Sequence, residues 1–297
     1  METMTDYSYI RSDDELRSSI QDLRDSKKFV VALDTEGENN RHAYGQRLCL
    51  VQVYDGTRLL LVDPLAMSDE ALRLLFESRD ILKVMYDASN DLSLLKRVHG
   101  IEIASILDLR PAVELLGYEK KDLQSVIAAE FGTVLTGKAI YQVRNWLTRP
   151  IADDAIQYAL NDVRYLLRLK DRIMEKLVEK KLLDRFMLKN LQVQSRVFLE
   201  SPQEKCTRIV GYSSLRDHEK EMFRRVFDVR QDCAQMYNIP SHQVISNRDL
   251  LTIARDFKSI NRLCFSGALS VNAIKNLMRE LKETVATPEH ANRCLAP

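Results

Sequence analysis

The stretch Phe29-Val-Val-Ala-Leu-Asp34-Thr-Glu36 decides the fold. Its five leading residues are apolar and Val-rich, the composition of a buried strand, and the strand ends on two carboxylates spaced two apart. Strand periodicity sends alternate side chains to one face, so Asp34 and Glu36 point the same way. That face would otherwise be core. Two ionised carboxylates side by side in an apolar setting are costly unless a cation neutralises them. Hard oxygen ligands of this kind suit Mg²⁺ or Mn²⁺. Taken alone, Asp-x-Glu also fits a strand that simply ends in solvent.

Outward from that strand, the pattern alternates. Upstream, Leu16, Ile20 and Leu23 recur at helical spacing and predict a helix over 13–25. Downstream, the runs 48–54 and 59–63 flank Asp55-Gly56-Thr57, a hairpin signal. A helix near 69–78, a strand over 81–86, a helix over 90–97, a strand over 105–109 and two further helices follow. The fold class is therefore α/β, a mixed sheet flanked by helices. From Asp153 onward the pattern is helical only. Residues 170–200 read as one helix of alternating charge that includes Lys180 and Lys181, and Ser201-Pro202 marks a break. Residues 208–292 read as an all-helical unit with an internal turn at Tyr237-Asn-Ile-Pro240-Ser.

A chain of 297 residues has room for two domains. With 9 Gly and 7 Pro it is neither collagen-like nor low in complexity. It holds no apolar run long enough to span a bilayer, and its acidic first 25 residues do not read as a secretory signal. The five cysteines (Cys49, Cys206, Cys233, Cys264, Cys294) show no Cys-x-x-Cys spacing, so neither a zinc site nor a disulfide framework is indicated. A reduced, cytoplasmic protein without a membrane partner is expected. The net charge of +1 hides a split: 24 acidic against 19 basic residues over 1–150, and 19 against 25 over 151–297. That split fits a metal-dependent enzyme acting on a polyanion, and equally fits ordinary surface scatter.

Two later features bear on the carboxylate pair. Asn90-Asp91 opens a helix directly after the strand over 81–86, which puts Asp91 at a strand's C-terminal end, where open sheets collect function. A helix N-cap explains Asp91 as well. Tyr158 and Asp162, four apart, share one helix face, and Asp162 lies beside the stripe formed by Leu160, Val163 and Leu166. A carboxylate facing inward needs a partner.

The order Asp-x-Glu, then Asp, then Tyr-x-x-x-Asp resembles the DEDD superfamily of 3′–5′ exonucleases, in the subgroup that carries tyrosine. The surroundings resemble ribonuclease D: Leu33-Asp34-Thr35-Glu36, Gln46-x-Leu48-x-Leu50-Val-Gln52, Val62-Asp63-Pro64, Ser89-x-Asp91-Leu92, Trp146-Leu-x-Arg149-Pro150 and Tyr158-Ala-x-x-Asp162-Val-x-Tyr165. The tail, through Phe227-x-Val-Arg230, Asn238-Ile-Pro240-Ser and Asp249-Leu-Leu-x-Ile-Ala254, is similar to the HRDC helical module. The resemblance implies an RNase H-like exonuclease domain over 1–186, a helical linker over 187–210 and an HRDC-like domain over 211–290. It implies hydrolysis with two divalent cations, Mg²⁺ or Mn²⁺, held by Asp34, Glu36, Asp91 and Asp162, with Tyr158 orienting the attacking water. Nucleoside 5′-monophosphates would leave the 3′ ends of single-stranded RNA, such as tRNA precursors, and the protein would be a monomer. A DNA exonuclease with the same site, or a scaffold that binds without cutting, are the competing readings.

Ribonuclease D proteins usually carry a bulky aromatic after the first-motif glutamate, and here the residue is Gly37. Together with Glu38-Asn-Asn-Arg-His42 it is expected near the terminal nucleotide. Lys180 and Lys181 are expected on the substrate path, with Lys170, Arg172, Lys176 and Arg185 as the rest of a basic run. Trp146, the single tryptophan, is expected in the core.

Overall fold

The Asp-x-Glu strand, β2 (Val30–Asn39), lies inside a six-stranded sheet with the order β1-β4-β3-β2-β5-β6. The other strands are β1 (Ser8–Ile10), β3 (Gln46–Tyr54), β4 (Leu59–Val62), β5 (Leu82–Met85) and β6 (Ile106–Asp108). Strands β2, β5 and β6 run parallel, β1 runs parallel to β4, and β3 and β4 form an antiparallel hairpin through the expected Asp55-Gly56 turn. The mixed sheet is thus as read, with one strand more. The sequence pattern missed β1 because Ser-Tyr-Ile is too short to show a period.

This computed structural model describes residues 6–135, 138–196, 204–265 and 267–286. The chain forms two units, one of Met1–Glu38 and Gln46–Phe198, the other of Asn39–Gly45 and Leu199–Pro297.

In the first unit, alternate residues of β2 serve two cores. Val31 and Leu33 pack with α1 (Asp13–Asp25), α2 (Asp69–Phe76) and α3 (Ser89–His99) through Leu16, Leu72, Leu75 and Leu95. Ala32 packs on the other face with α7 (Asp153–Arg164) and α8 (Leu166–Glu179) through Ala159, Leu160, Val163 and Ile173. Helices α4 (Arg110–Leu116), α5 (Leu123–Phe131) and α6 (Lys138–Tyr141) connect the sheet to α7. Trp146 is buried in the second core, as expected, and so presents no free face for stacking.

The single helix expected over 170–200 is two helices. Helix α8 ends at Glu179, Lys181 takes a left-handed φ of 58°, and α9 (Leu183–Gln194) starts in a new direction. Lysine carries no Gly- or Asn-like signal for such a conformation, so the break was invisible in sequence. Helix α9 belongs to the first unit and buries Phe186, Asn190 and Val193. The expected break at Ser201-Pro202 and the position of Cys294 lie outside the described residues.

The second unit is helical: α10 (Glu204–Thr207), α11 (Asp217–Tyr237), α12 (Ser241–Val244), α13 (Asn247–Arg255) and α14 (Val271–Ala286). Phe223, Val226 and Phe227 of α11 pack with Leu250, Ile253, Leu277 and Leu281. The turn expected at 237–241 is present, with Asn238 left-handed at φ 50° closing α11. The segment 39–45 is part of this unit. Tyr44 packs on its core, and the Asn40 carboxamide oxygen accepts from the backbone N–H of Ser241 at 3.3 Å. Among the described residues no helix is long and apolar enough to cross a membrane.

Candidate active site

The two-faced packing of β2 dictates where each candidate lies. Asp34 and Glu36 continue the register of Ala32 and face α7. There, Asp162 joins them: one carboxylate oxygen from each of the three lies within 4.8 Å of the others. All three side chains are half-buried. Burial pushes the Asp34 carboxyl well above its usual range, and the charges of Asp91, Asp162 and Glu36 push it further. Glu36 is raised in the same way, by burial first and then by Asp162 and Asp91. Three mutually repelling carboxylates with converging oxygens fit a hard divalent cation, which would supply the missing positive charge.

Thr35 lies in the opposite register, with Val31 and Leu33, and so faces α3. Its hydroxyl donates to the Asp91 carboxylate. Asp91 therefore meets the middle of β2, close enough to raise both Asp34 and Glu36, but outside the three-oxygen cluster. It is the third residue of α3, whose N-cap position is Ala88 and has no side-chain cap, so Asp91 is not the N-cap. Burial is the main cause that lifts the Asp91 carboxyl to about 6, against the donation from Thr35.

Tyr158 completes the α7 side. Its hydroxyl is hydrogen-bonded to Asp162, and burial, with Asp162, Glu36 and Asp34 adding to it, raises its pKa far above the usual value for tyrosine. A phenol held neutral so firmly positions a neighbour through hydrogen bonds and is unsuited to act as a base at neutral pH. The Tyr158 ring stacks on Tyr141.

The residues expected to touch substrate are placed as follows. Gly37 is half-buried, and a Cβ there would lie 2.9 Å from Leu94 Cδ2 and 3.3 Å from the Arg47 carbonyl oxygen. The departure from an aromatic is thus matched by Leu94, which fills the space. Lys180 and Lys181 are exposed at the α8–α9 break. Lys176 is taken up by Glu130 and by the Tyr118 hydroxyl at 3.2 Å, and Lys170 by Asp171, so the basic run is only partly free. Sequence reasoning missed Thr35. The alternation that pointed Asp34 and Glu36 one way also implied that Thr35 points the other, but not that Asp91's helix lies there.

The chain matches the sequence profile of the 3′–5′ exonuclease family over residues 7–178. It is 28% identical to the exosome complex exonuclease RRP6 of Saccharomyces cerevisiae over 245 residues, which cover 82% of this chain and 32% of the yeast protein. It is 32% identical to the ribonuclease D of Xanthomonas oryzae over 173 residues, 58% of this chain and 46% of that protein. The chain thus spans less than half the length of these curated relatives. Among solved structures, Escherichia coli RNase D, described as an exoribonuclease involved in structured RNA processing, superposes with a TM-score of 0.73 at 24% identity. The match covers 96% of this chain and 76% of that one, so the fold is shared, the C-terminal helical region included.

Proposed function

The chain belongs to the 3′–5′ exonuclease family, and from that membership we propose that it hydrolyses RNA from a free 3′ end and releases nucleoside 5′-monophosphates. The observation that carries this reading is the convergence of Asp34, Glu36 and Asp162 beside the Tyr158 hydroxyl. The RNA preference rests on the names of its relatives, ribonuclease D and RRP6.

Asp34, Glu36 and Asp162, with Asp91 beside them, would hold two divalent cations, Mg²⁺ or Mn²⁺. Such cations lower the pKa of the attacking water and neutralise charge developing on the scissile phosphate. The chain's own part is arrangement. Asp34, Glu36 and Asp162 form the anionic cradle, and the neutral Tyr158 hydroxyl orients the nucleophile while bonded to Asp162. Gly37 offers backbone alone to the terminal nucleotide, because Leu94 occupies the space of a side chain. Affinity for polyanion comes from outside this acidic centre: from Lys180 and Lys181, and from the HRDC-like region over 211–290, with binding that weakens as salt rises. The natural setting we infer is a monomer in the cytoplasm, trimming single-stranded 3′ ends of tRNA precursors or similar structured RNAs.

The test uses single-stranded RNA and DNA of one sequence, labelled at either end, with Mg²⁺, Mn²⁺ or EDTA. Immediate release of a labelled mononucleotide from the 3′ end, faster on RNA and stopped by EDTA, is expected. Faster release from DNA would reassign the substrate. Binding without cleavage under either metal would leave a scaffold.

A further inference from the structure

We infer that Asp108 and Asn190 are positioning residues for Asp91, an inference that rests on the active-site reading above. Asp108 ends β6, the edge strand of the sheet, and is 2% exposed. One of its carboxylate oxygens accepts from the backbone N–H groups of Asp87 at 2.8 Å and Arg110 at 2.9 Å. The other accepts from Ala88 N–H at 3.1 Å. Asp87 and Ala88 form the turn that feeds α3. Asp87 is left-handed there, at φ 59°, a conformation uncommon outside glycine though Asp adopts it more readily than most. The N-terminus of α3 has no side-chain cap of its own, so its approach is fixed from β6 instead. Asp91 follows Ala88 by three residues and meets Thr35 from that fixed start.

Asn190 fixes Asp108 in turn. It projects from α9, is 3% exposed, and pairs with the peptide of Asp108 in both directions. Its oxygen accepts from Asp108 N–H at 2.7 Å, and its amide donates to the Asp108 carbonyl at 3.3 Å and to Phe186 at 3.3 Å. The side chain supplies the edge strand with the two bonds that a further strand would have made. Burying a carboxylate and a carboxamide is costly, and here their hydrogen-bonding capacity is spent on one object: the geometry at the root of α3. Groups that support a ligand from behind typically change metal affinity or turnover by about 10- to 100-fold when altered. Neither residue touches the reacting atoms.

The experiment uses the full chain and Mn²⁺ alone as the probe, with calorimetric binding and steady-state hydrolysis read for Asp91→Asn, Asp108→Asn, Asn190→Leu and Asn190→Asp. Asp108→Asn retains two acceptor contacts but sets an amide against Ala88 N–H. It is expected to weaken Mn²⁺ binding and lower kcat by about tenfold or more, with KM within about twofold of wild type. Asn190→Asp keeps the acceptor for Asp108 N–H but sets a buried carboxylate oxygen against the Asp108 and Phe186 carbonyls, and is expected to be impaired at least as much as Asn190→Leu. If Asp91→Asn is impaired while the Asp108 and Asn190 variants lose melting temperature only, with Mn²⁺ binding and kcat unchanged, the positioning role is overturned and the active site stands. If Asp91→Asn itself binds Mn²⁺ and turns over like wild type, the reading of Asp91 fails and this inference falls with it.

Discussion

The ring of Tyr141 stacks on that of Tyr158, with centroids 4.5 Å apart and planes 25° from parallel. Tyr141 is itself braced, since its hydroxyl donates to Asp154 at 3.2 Å and the Arg144 guanidinium sits over its ring. Tyr158 is therefore held by its ring as well as by its hydroxyl. Tyr158→Phe keeps the ring contact and removes only the bond to Asp162. Loss of kcat by about 100-fold is expected, with KM and melting temperature unchanged. Single-turnover and steady-state rates on a 3′-labelled RNA check this, and a wild-type kcat would remove the hydroxyl from the reaction.

Asp162→Asn takes one charge from the crowded trio. Hydrolysis should fall by about 1000-fold or more, yet the metal-free protein should become more stable, because the repulsion that raises Asp34 and Glu36 is relieved. A gain of about 1 kcal/mol corresponds to roughly 2–4 °C. Thermal unfolding with and without Mg²⁺ tests both halves: Mg²⁺ should stabilise the wild type and leave the variant almost unmoved.

Because Asp34, Glu36 and Asp91 have raised folded-state pKa values, the metal-free native state retains protons that the unfolded chain gives up. The Asp91 contribution to stability is full below the ordinary carboxylate range and is lost as pH climbs through about 6, and those of Asp34 and Glu36 have the same sign. Ion-paired Asp80 and Glu219, whose pKa values are lowered, give the opposite slope. The comparison of wild type with Asp91→Asn removes the Asp91 part together with its push on Asp34 and Glu36. The difference in metal-free melting temperature should widen in favour of the variant between about pH 4 and pH 6, the window set by an ordinary Asp and the shifted one. Metal binding should release protons below about pH 6 and fewer above it. A difference that narrows with rising pH would contradict the sign.

Gly37→Phe is expected to cost roughly 1–3 kcal/mol through overpacking against Leu94 and the Arg47 carbonyl. Pairing it with Leu94→Ala should recover part of the loss, since the two side chains compete for one space. Urea unfolding of the single and double variants reads the coupling, and strict additivity would show that the contact does not matter.

What was legible in sequence follows from range. The register of Asp34 and Glu36 is a local matter of strand period, and the inward lean of Asp162 a local matter of one helix stripe, so both could be read from neighbours. The α3 start was equally visible. The Thr35–Asp91 bond was not, because it joins residues 56 apart across two elements. Asn190 and Asp108 are 82 apart, and an Asn in a helix reads as surface until the sheet edge it caps is known. The split at Lys181 escaped because nothing about a lysine announces a left-handed turn.

The second unit is made from two separated pieces of chain, and this fixes an order of events during synthesis. Residues 39–45 leave the ribosome about 150 residues before Leu199 does. At ~5–20 residues per second that is a delay of roughly 8–30 s. During this interval Tyr44 has no helical core to pack on, and Asn40 no Ser241 to accept from. The sheet around β2 and β3 closes once β5 and the helices α7 and α8 have emerged, but the segment between them must wait for the tail before it acquires its final partners.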